Sequence, residues 1–394
     1  MNRSAFTAFF ILIFALFYAS DSHSETLRVA TFNVSMEASN YSQDDTENPA
    51  GDILLTHLKS AQHPQIRNIA EIIQRTAPDI ILLNEFDYYP NASPSAAALF
   101  VTNYLNVSQQ GQTPIDYPYQ YIAPVNTGVP TPFDLDNNGE KTGHGGDAYG
   151  WGLYPGQYGM ALLSRYPIDV DAIRTFQLFR WQDMPGAQQP VDPVSGEAWY
   201  NQQEWAALRL SSKSHWDIPV NVKGKTVHIL AMHPTPPTFD GPEDRNGKRN
   251  HDEIRLMADY LLPSTADYIY DDTGREGGFT GQRFVLAGDF NAADTGDKYR
   301  PGVIEQLTEH PLVNNSVIPI SEGGAESHSM HESNRFTAYW GARADYVLPS
   351  QFGFKVTAAG VFWPRKSSAL YRLVKDRQRS SDHRLVWVDL ALTD

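Results

Sequence analysis

No cysteine occurs in the 394 residues. This excludes a disulfide framework, a thiolate zinc centre and a cysteine nucleophile. A chain of this length must then be held together by its apolar core, with bound metal ions as the available supplement. Positive charge is scarce as well: 31 Lys and Arg stand against 46 Asp and Glu, a net charge of -15. Binding a polyanion such as duplex DNA draws on Lys and Arg at phosphates, so the balance argues against a dedicated DNA binder. A local basic or metal-loaded cleft can still override a global average. No Gly-x-Ser-x-Gly elbow and no Walker loop occurs, which argues against a serine-triad hydrolase of the elbow type and against a P-loop NTPase. Beyond the first two dozen residues no run is long and apolar enough to span a bilayer.

Apolar residues are plentiful, at 41% hydrophobic and 12% aromatic, so the chain is globular rather than disordered. The start stands apart. Met1-Asn2-Arg3 is positively charged, Phe6 to Ala19 is almost wholly apolar, and small residues follow at Ser20, Ser22 and Ser24. That pattern predicts a signal peptide over residues 1–24, cleaved between Ala19 and Ser24, and a secreted or periplasmic product without a stable membrane anchor. An uncleaved anchor is the alternative.

From residue 25 to 394 no linker or internal repeat divides the sequence, and one catalytic-size domain is expected. Leu27 to Val34 is a strand candidate. Pro64 to Thr76 places Ile66, Ile69, Ala70 and Ile73 on one helical face, and Pro78 stops it. Ile80 to Leu83, Gly159 to Ser164, Trp205 to Leu210, Thr226 to Met232, Phe284 to Ala287, Asp345 to Leu348 and Leu385 to Leu390 have strand character. Asn250, with Glu253 three residues on, suits the start of a helix whose apolar face is Ile254, Met257, Ala258 and Leu261. Two stretches rich in Pro, Gly and aromatics, near 88–155 and 171–200, are too long for ordinary loops and are expected as insertions. Helices and strands alternate without a regular βαβ rhythm. This favours a mixed-sheet α/β sandwich over a doubly wound sheet or barrel.

Polar residues recur where the apolar runs end. Asn33 follows Ala30-Thr31-Phe32, Glu85 follows Ile80 to Leu83, and His233 follows Ile229 to Met232. In "FVLAGDFNAAD", Asp289 and Asn291 leave a buried run two residues apart. Asp345 opens a strand, and Asp382-His383 precedes the last one. Any one of these is ordinarily a turn or cap. Six on one chain suggest a shared site, because ligands gather where strands end. The chemistry that suits them is phosphate-ester hydrolysis. Carboxylates and an amide can hold Mg2+ or Mn2+, a further carboxylate can take a proton from water, and histidines can hold the phosphate or protonate the leaving group.

The ordered set "TFNV", "LLNEFD", "GMALLSRYPI", "ILAMHPT", "LAGDFNA", "RADYVL" and "SSDHRLVWVDL" resembles the endonuclease/exonuclease/phosphatase superfamily. The resemblance covers Leu27 to Leu390. It implies the deoxyribonuclease I-like fold, a four-layer α/β sandwich of two packed mixed β-sheets flanked by helices. It also implies roles. Glu85 and Asn33 match positions that hold the divalent cation, with Asp382 a further carboxylate on the metal side. Asp289 matches the residue that activates water, and Asn291 the amide that positions the phosphate. His383 is similar to the histidine at the scissile phosphate, and Asp345 to the carboxylate that orients it. His233 resembles a second histidine that abasic-site nucleases lack, which tilts the expectation away from DNA repair.

Two weaker signals remain. In "DLDNNG", Asp134, Asp136 and Asn138 match the first half of an EF-hand loop, but Gly145 stands where the closing acid belongs. A structural Ca2+ site and a polar turn both fit. Arg180, in "LFRWQDMPGA", is a candidate phosphate clamp, and Trp181 beside it suits packing. The expectation is therefore a secreted, monomeric, divalent-metal-dependent phosphoesterase with a small or lipid-like substrate. A secreted nuclease and a non-catalytic, Ca2+-stabilised binding module are the alternatives.

Overall fold

The computed structural model describes residues 26–42, 52–296 and 298–394; the expected signal peptide lies outside them. Eleven strands are present among the described residues: β1 Thr26–Met36, β2 Ile80–Phe86, β3 Tyr119–Ile122, β4 Met160–Ser164, β5 Arg174–Thr175, β6 His215–Val222, β7 Lys225–Met232, β8 Phe284–Asp289, β9 Asp345–Pro349, β10 Phe354–Val361 and β11 Val386–Leu392. They form a six-stranded sheet in the order β10-β11-β1-β2-β4-β3 and a five-stranded sheet in the order β5-β6-β7-β8-β9. Each sheet is mixed and holds one parallel pair, β1 with β2 and β7 with β8. A parallel pair needs a crossover. The first contains helices α1 Ile53–Ser60 and α2 Pro64–Thr76. Shorter helices α3 Ala96–Phe100 and α4 Gln202–Ala207 follow, and the second crossover contains α5 Arg245–Tyr260.

The strand sequences explain the layering. On β7, Val227, Ile229 and Ala231 join a core cluster that also takes Val29, Leu82 and Leu162 from the first sheet. The alternate residues Leu230 and Met232 join a second cluster with Ile254, Met257 and Tyr260 of α5. Because side chains alternate faces, a strand covered on both sides must be apolar throughout, as "VHILAM" and "FVLAG" nearly are. The result is two packed mixed sheets flanked by helices, the layered sandwich expected.

Some local expectations need correction. Trp205 to Leu210 is not a strand. Asn201 accepts hydrogen bonds from the Gln203 and Glu204 amides while Glu204 accepts from the Asn201 amide, a capping box that starts α4. Asn250 does not start a helix, since α5 begins at Arg245. Asn250 instead donates to the carbonyls of Thr235 and Phe290, and Glu253 accepts from the Ser212 and Thr235 amides, each at 2.6 Å. These buried polar groups tie the helix to the loop after β7. Within the stretch 88–155, β3 pairs with β4 as an edge of the first sheet, and only the rest of that stretch is elaboration.

Candidate active site

In both parallel pairs the strands run toward the same edge of the sandwich. Asn33, Glu85 and Asp289 lie at or near the C-terminal ends of β1, β2 and β8, and His233 directly follows β7. Strand β9 is antiparallel to β8 and pairs Asp345 with Asp289. The turn before β11 brings Asp382 and His383. All eight expected residues are thus presented at one edge.

Asp289 is the hub, 1% exposed. Asn33 donates its side-chain amide to Asp289 Oδ2 at 3.0 Å, and the Nε2 atoms of His233 and His383 both lie 3.5 Å from that same oxygen. The amide N–H of Asn291 donates to Asp289 Oδ1 at 3.0 Å. Asn291 has φ +50° and donates its side chain to the Pro234 carbonyl, so the amide is held beside the hub by a strained turn. Asp345, fully buried, takes His383 Nδ1 at 2.8 Å and the Thr337 hydroxyl at 2.7 Å on Oδ2, while its Oδ1 has no partner. The orientation of His383 is fixed by that bond.

Electrostatics separate the two histidines. Burial alone would lower His383, but Asp345, Asp289 and Asp382 outweigh it and push its pKa up to about 10, so the ring is a cation at neutral pH. His233 is held well below the ordinary histidine range by burial, with Lys213 and His383 adding repulsion, so it is neutral. Its Nδ1 is buried without a partner. Burial pushes Asp289 up to about 6, which leaves it ionised at neutral pH and a competent proton acceptor.

A second cluster adjoins the first. Glu85 has φ +53° and Ser35 φ +47°, and the register of β1 against β2 slips between Asn33 and Met36. These bulges break the flat ladder at the site, where such irregularities re-aim side chains. Burial and the charge of Asp382 push Glu85 up to about 7. Asp382 sits below its usual range because His383 and Arg377 outweigh burial. The Arg377 guanidinium lies 3.9 Å from Glu37, 3.9 Å from Glu85 and 3.6 Å from Asp382. Three carboxylates thus converge on one loosely held cation.

Several contributors escaped sequence reasoning. Asn84 accepts from the Asp289 amide at 3.2 Å and donates to the Met232 carbonyl at 3.4 Å, joining the two sheets beneath the hub. Thr337 receives the Ala344 and Asp345 amides on the hydroxyl that it donates to Asp345. Lys213 is buried, and burial lowers its pKa against the pull of Glu253, Asp289 and Glu85. Glu37 and Arg377 had no motif to mark them; three residues past "TFNV", Glu37 could have been suspected from its spacing alone.

Other expected residues lie elsewhere. Arg180 pairs with Asp183 at 2.8 Å and contacts none of the residues above among those described. Trp181 packs on Trp205, as expected, and donates to Asp252. Asp134 and Asp136 are drawn together with Asp147 rather than with the Asn138 side chain, which accepts from the Glu140 amide. Much of this group is already used on backbone: Asp134 accepts from the Asn138 and Gly139 amides, and Asp147 from those of Leu135 and Thr142.

The family model described as Endonuclease/Exonuclease/phosphatase family matches residues 30–383. The chain belongs to this family. Its members are usually hydrolases of phosphoesters and typically depend on a divalent metal. No curated protein matches the sequence. Among solved structures, the endonuclease/exonuclease/phosphatase from Beutenbergia cavernae is 19% identical with a TM-score of 0.50, over 93% of this chain and 72% of that one. Sphingomyelinase C from Streptomyces griseocarneus is 14% identical with a TM-score of 0.45, over 93% and 99%. A magnesium-bound variant of beta toxin from Staphylococcus aureus is 13% identical with a TM-score of 0.45, over 92% and 99%. At such identities the likeness concerns fold alone.

Proposed function

We propose that this family hydrolase is exported from the cytoplasm and cleaves a small or lipid-like phosphoester with the help of Mg2+ or Mn2+. The observation that carries the reading is the convergence on Asp289 of Asn33, His233 and His383, with Asp345 behind His383. Asp289 accepts the proton of the attacking water. Cationic His383, braced by Asp345, holds a phosphoryl oxygen and is placed to return a proton to the leaving oxygen. His233 and Asn291 complete the grip on the phosphate.

The residues around Arg377 suit a hard divalent cation. Glu85, Asp382 and Glu37 offer carboxylate oxygens, Asn33 stands beside Glu85, and the repulsion of Glu85 by Asp382 marks an excess of negative charge. Glu85 and Asp382 would hold the ion, with Asn33 near it; when bound it polarises the phosphoryl oxygens and stabilises charge on the leaving oxygen. A structural Ca2+ at Asp134, Asp136 and Asp147 is part of the same proposal. So are a monomeric state and the cleavage of residues 1–24.

The test is a set of initial rates on a phosphodiester, a phosphomonoester, a phospholipid and plasmid DNA, each with Mg2+, Mn2+ and excess chelator. Metal-dependent turnover of a small or lipid substrate is expected. Plasmid cut far faster than the rest, with a rate falling steeply as salt rises, would establish the nuclease alternative instead.

A further inference from the structure

The chain is acidic overall, yet between residues 365 and 384 basic residues outnumber acidic ones seven to two. That segment leads directly into Asp382 and His383. Its members have different fates. Arg365 pairs with Glu322 and Arg372 with Glu71, away from the site. Arg384 is buried and donates to the carbonyls of Ser381, His383 and Val374. Lys375 and Arg377 are exposed and line a cleft of about 290 Å³. Asp376, Ser381, Asp382 and Arg384 contribute to the same cleft, and Tyr339 forms its aromatic wall. Tyr339 is held there by its amide, which donates to the Asp382 carbonyl at 2.8 Å. The cleft therefore opens against the metal-side carboxylate of the site.

Of its three cations, Arg384 is buried and the exposed Lys375 and Arg377 can turn to a ligand. Among the described residues no carboxylate forms an ion pair with Lys375, and Arg377 reaches its nearest carboxylate only at 3.6 Å, beyond hydrogen-bonding distance. The lining sets Lys375, Arg377 and Arg384 against Asp376 and Asp382, and a divalent cation held by Glu85 and Asp382 would free Arg377 from them, leaving the cleft beside the phosphate net positive. The reacting phosphoryl group is already served by His383, His233 and Asn291, so these cations face a different part of the substrate.

We propose that this cleft binds a second anionic group of the substrate through Lys375 and Arg377, so that the preferred phosphoester carries a further phosphate or carboxylate near the scissile phosphate. The inference rests on the proposed hydrolase reading and narrows its substrate class. Arg377 neighbours the metal-side carboxylates, so Lys375 carries the test.

The experiment compares two pairs of chromogenic esters with Mg2+. One pair is the 4-nitrophenyl ester of thymidine 5′-phosphate with and without a 3′-phosphate. The other is the 4-nitrophenyl ester of glycerol 1-phosphate with and without a 3-phosphate. The added phosphate is expected to raise kcat/KM by about tenfold or more in at least one pair, the scale of one charge-assisted hydrogen bond. Lys375→Gln should remove most of that ratio through KM. Lys366→Gln, the same charge change outside the cleft, should leave the ratio intact. Equal kcat/KM within both pairs overturns the proposal, as does an equal effect of the two lysine variants, which would indicate long-range charge only. Absence of 4-nitrophenol release from every ester, with either metal, refutes the hydrolase reading instead. Calorimetric binding of thymidine 3′,5′-bisphosphate against thymidine 5′-phosphate then decides the cleft independently. Tighter binding of the bisphosphate that is lost in Lys375→Gln supports it, and equal binding overturns it.

Discussion

Asp289 illustrates how residue chemistry is set by what surrounds it. A carboxylate at a strand end is ordinarily a turn residue, but this one is buried between two histidines and an amide. Asp289→Asn keeps the shape and the hydrogen bonds of Oδ1, and removes the proton acceptor. Its activity should fall by about 10²–10⁴, while its melting temperature stays near that of the wild type; an activity within a few-fold of wild type would show that the base is another group. The residues legible in advance were those carried by short motifs, such as Asp289, Asn291, Asp382 and His383. Asn84, Thr337, Lys213 and Arg377 were not legible: Asn84 acts across 148 and 205 positions of sequence, Lys213 and Arg377 act through charge, and the Thr337 hydroxyl reaches Asp345 eight residues on with no motif to mark it. Arg180 shows the converse, a local pattern whose contact the sequence did not reveal. An arginine beside a tryptophan suggests a clamp, and in the fold it pairs with Asp183.

At the scale of elements, α2 was readable to the residue, since Pro64 opens it and its apolar face has strict helical spacing. β6 was not, because His215, Asp217 and Pro219 interrupt its apolar run; those polar groups find partners only in the folded state, Asp217 taking Tyr260 and His228. The turn from β8 into the site depends on Gly288. Its φ is +151°, and a Cβ there would stand 2.0 Å from the Met232 carbonyl oxygen. Gly288→Ala must push β7 and β8 apart. It should cost about 1–3 kcal/mol or more, measurable as a shifted urea midpoint; an unchanged midpoint would mean the strands tolerate that separation. The acidic turn at Asp134, Asp136 and Asp147 gives a second test. If it takes Ca2+, millimolar Ca2+ raises the melting temperature by mass action and Asp136→Ala abolishes the rise. No dependence on Ca2+ would leave these carboxylates as caps for their own backbone amides.

For the whole molecule, stability without disulfides rests on two apolar clusters and on buried polar groups whose charge state matters. His215 is fully buried, donates Nε2 to the Glu253 carbonyl and accepts the Ser211 hydroxyl on Nδ1. Burial lowers its pKa to about 4. A histidine depressed in the folded state contributes stability that is complete above its unfolded pKa and is lost as pH falls. The unfolded chain takes up a proton from about pH 6.5 downward, and the folded one only near pH 4. Within that window this residue should contribute up to about 1.4 kcal/mol of lost stability per pH unit. Urea titrations at pH 7, 6 and 5 should show a slope that His215→Gln reduces; an identical slope in the variant would assign the loss to other groups. The fold and family were legible at this scale because seven motifs lie in order along the chain. The substrate was not, because it depends on the walls that loops and the 365–384 segment build around the site.

The central claim is that a divalent cation held by Glu85 and its neighbours serves hydrolysis at Asp289. The most direct measurement is the initial rate on bis(4-nitrophenyl) phosphate as a function of Mg2+ and of Mn2+, for the wild type and Glu85→Gln, after exhaustive chelation. The account predicts no turnover without metal, recovery on its addition, and a steeply raised metal requirement in Glu85→Gln. Full turnover of the chelated wild type, or the same metal dependence in Glu85→Gln, would contradict it.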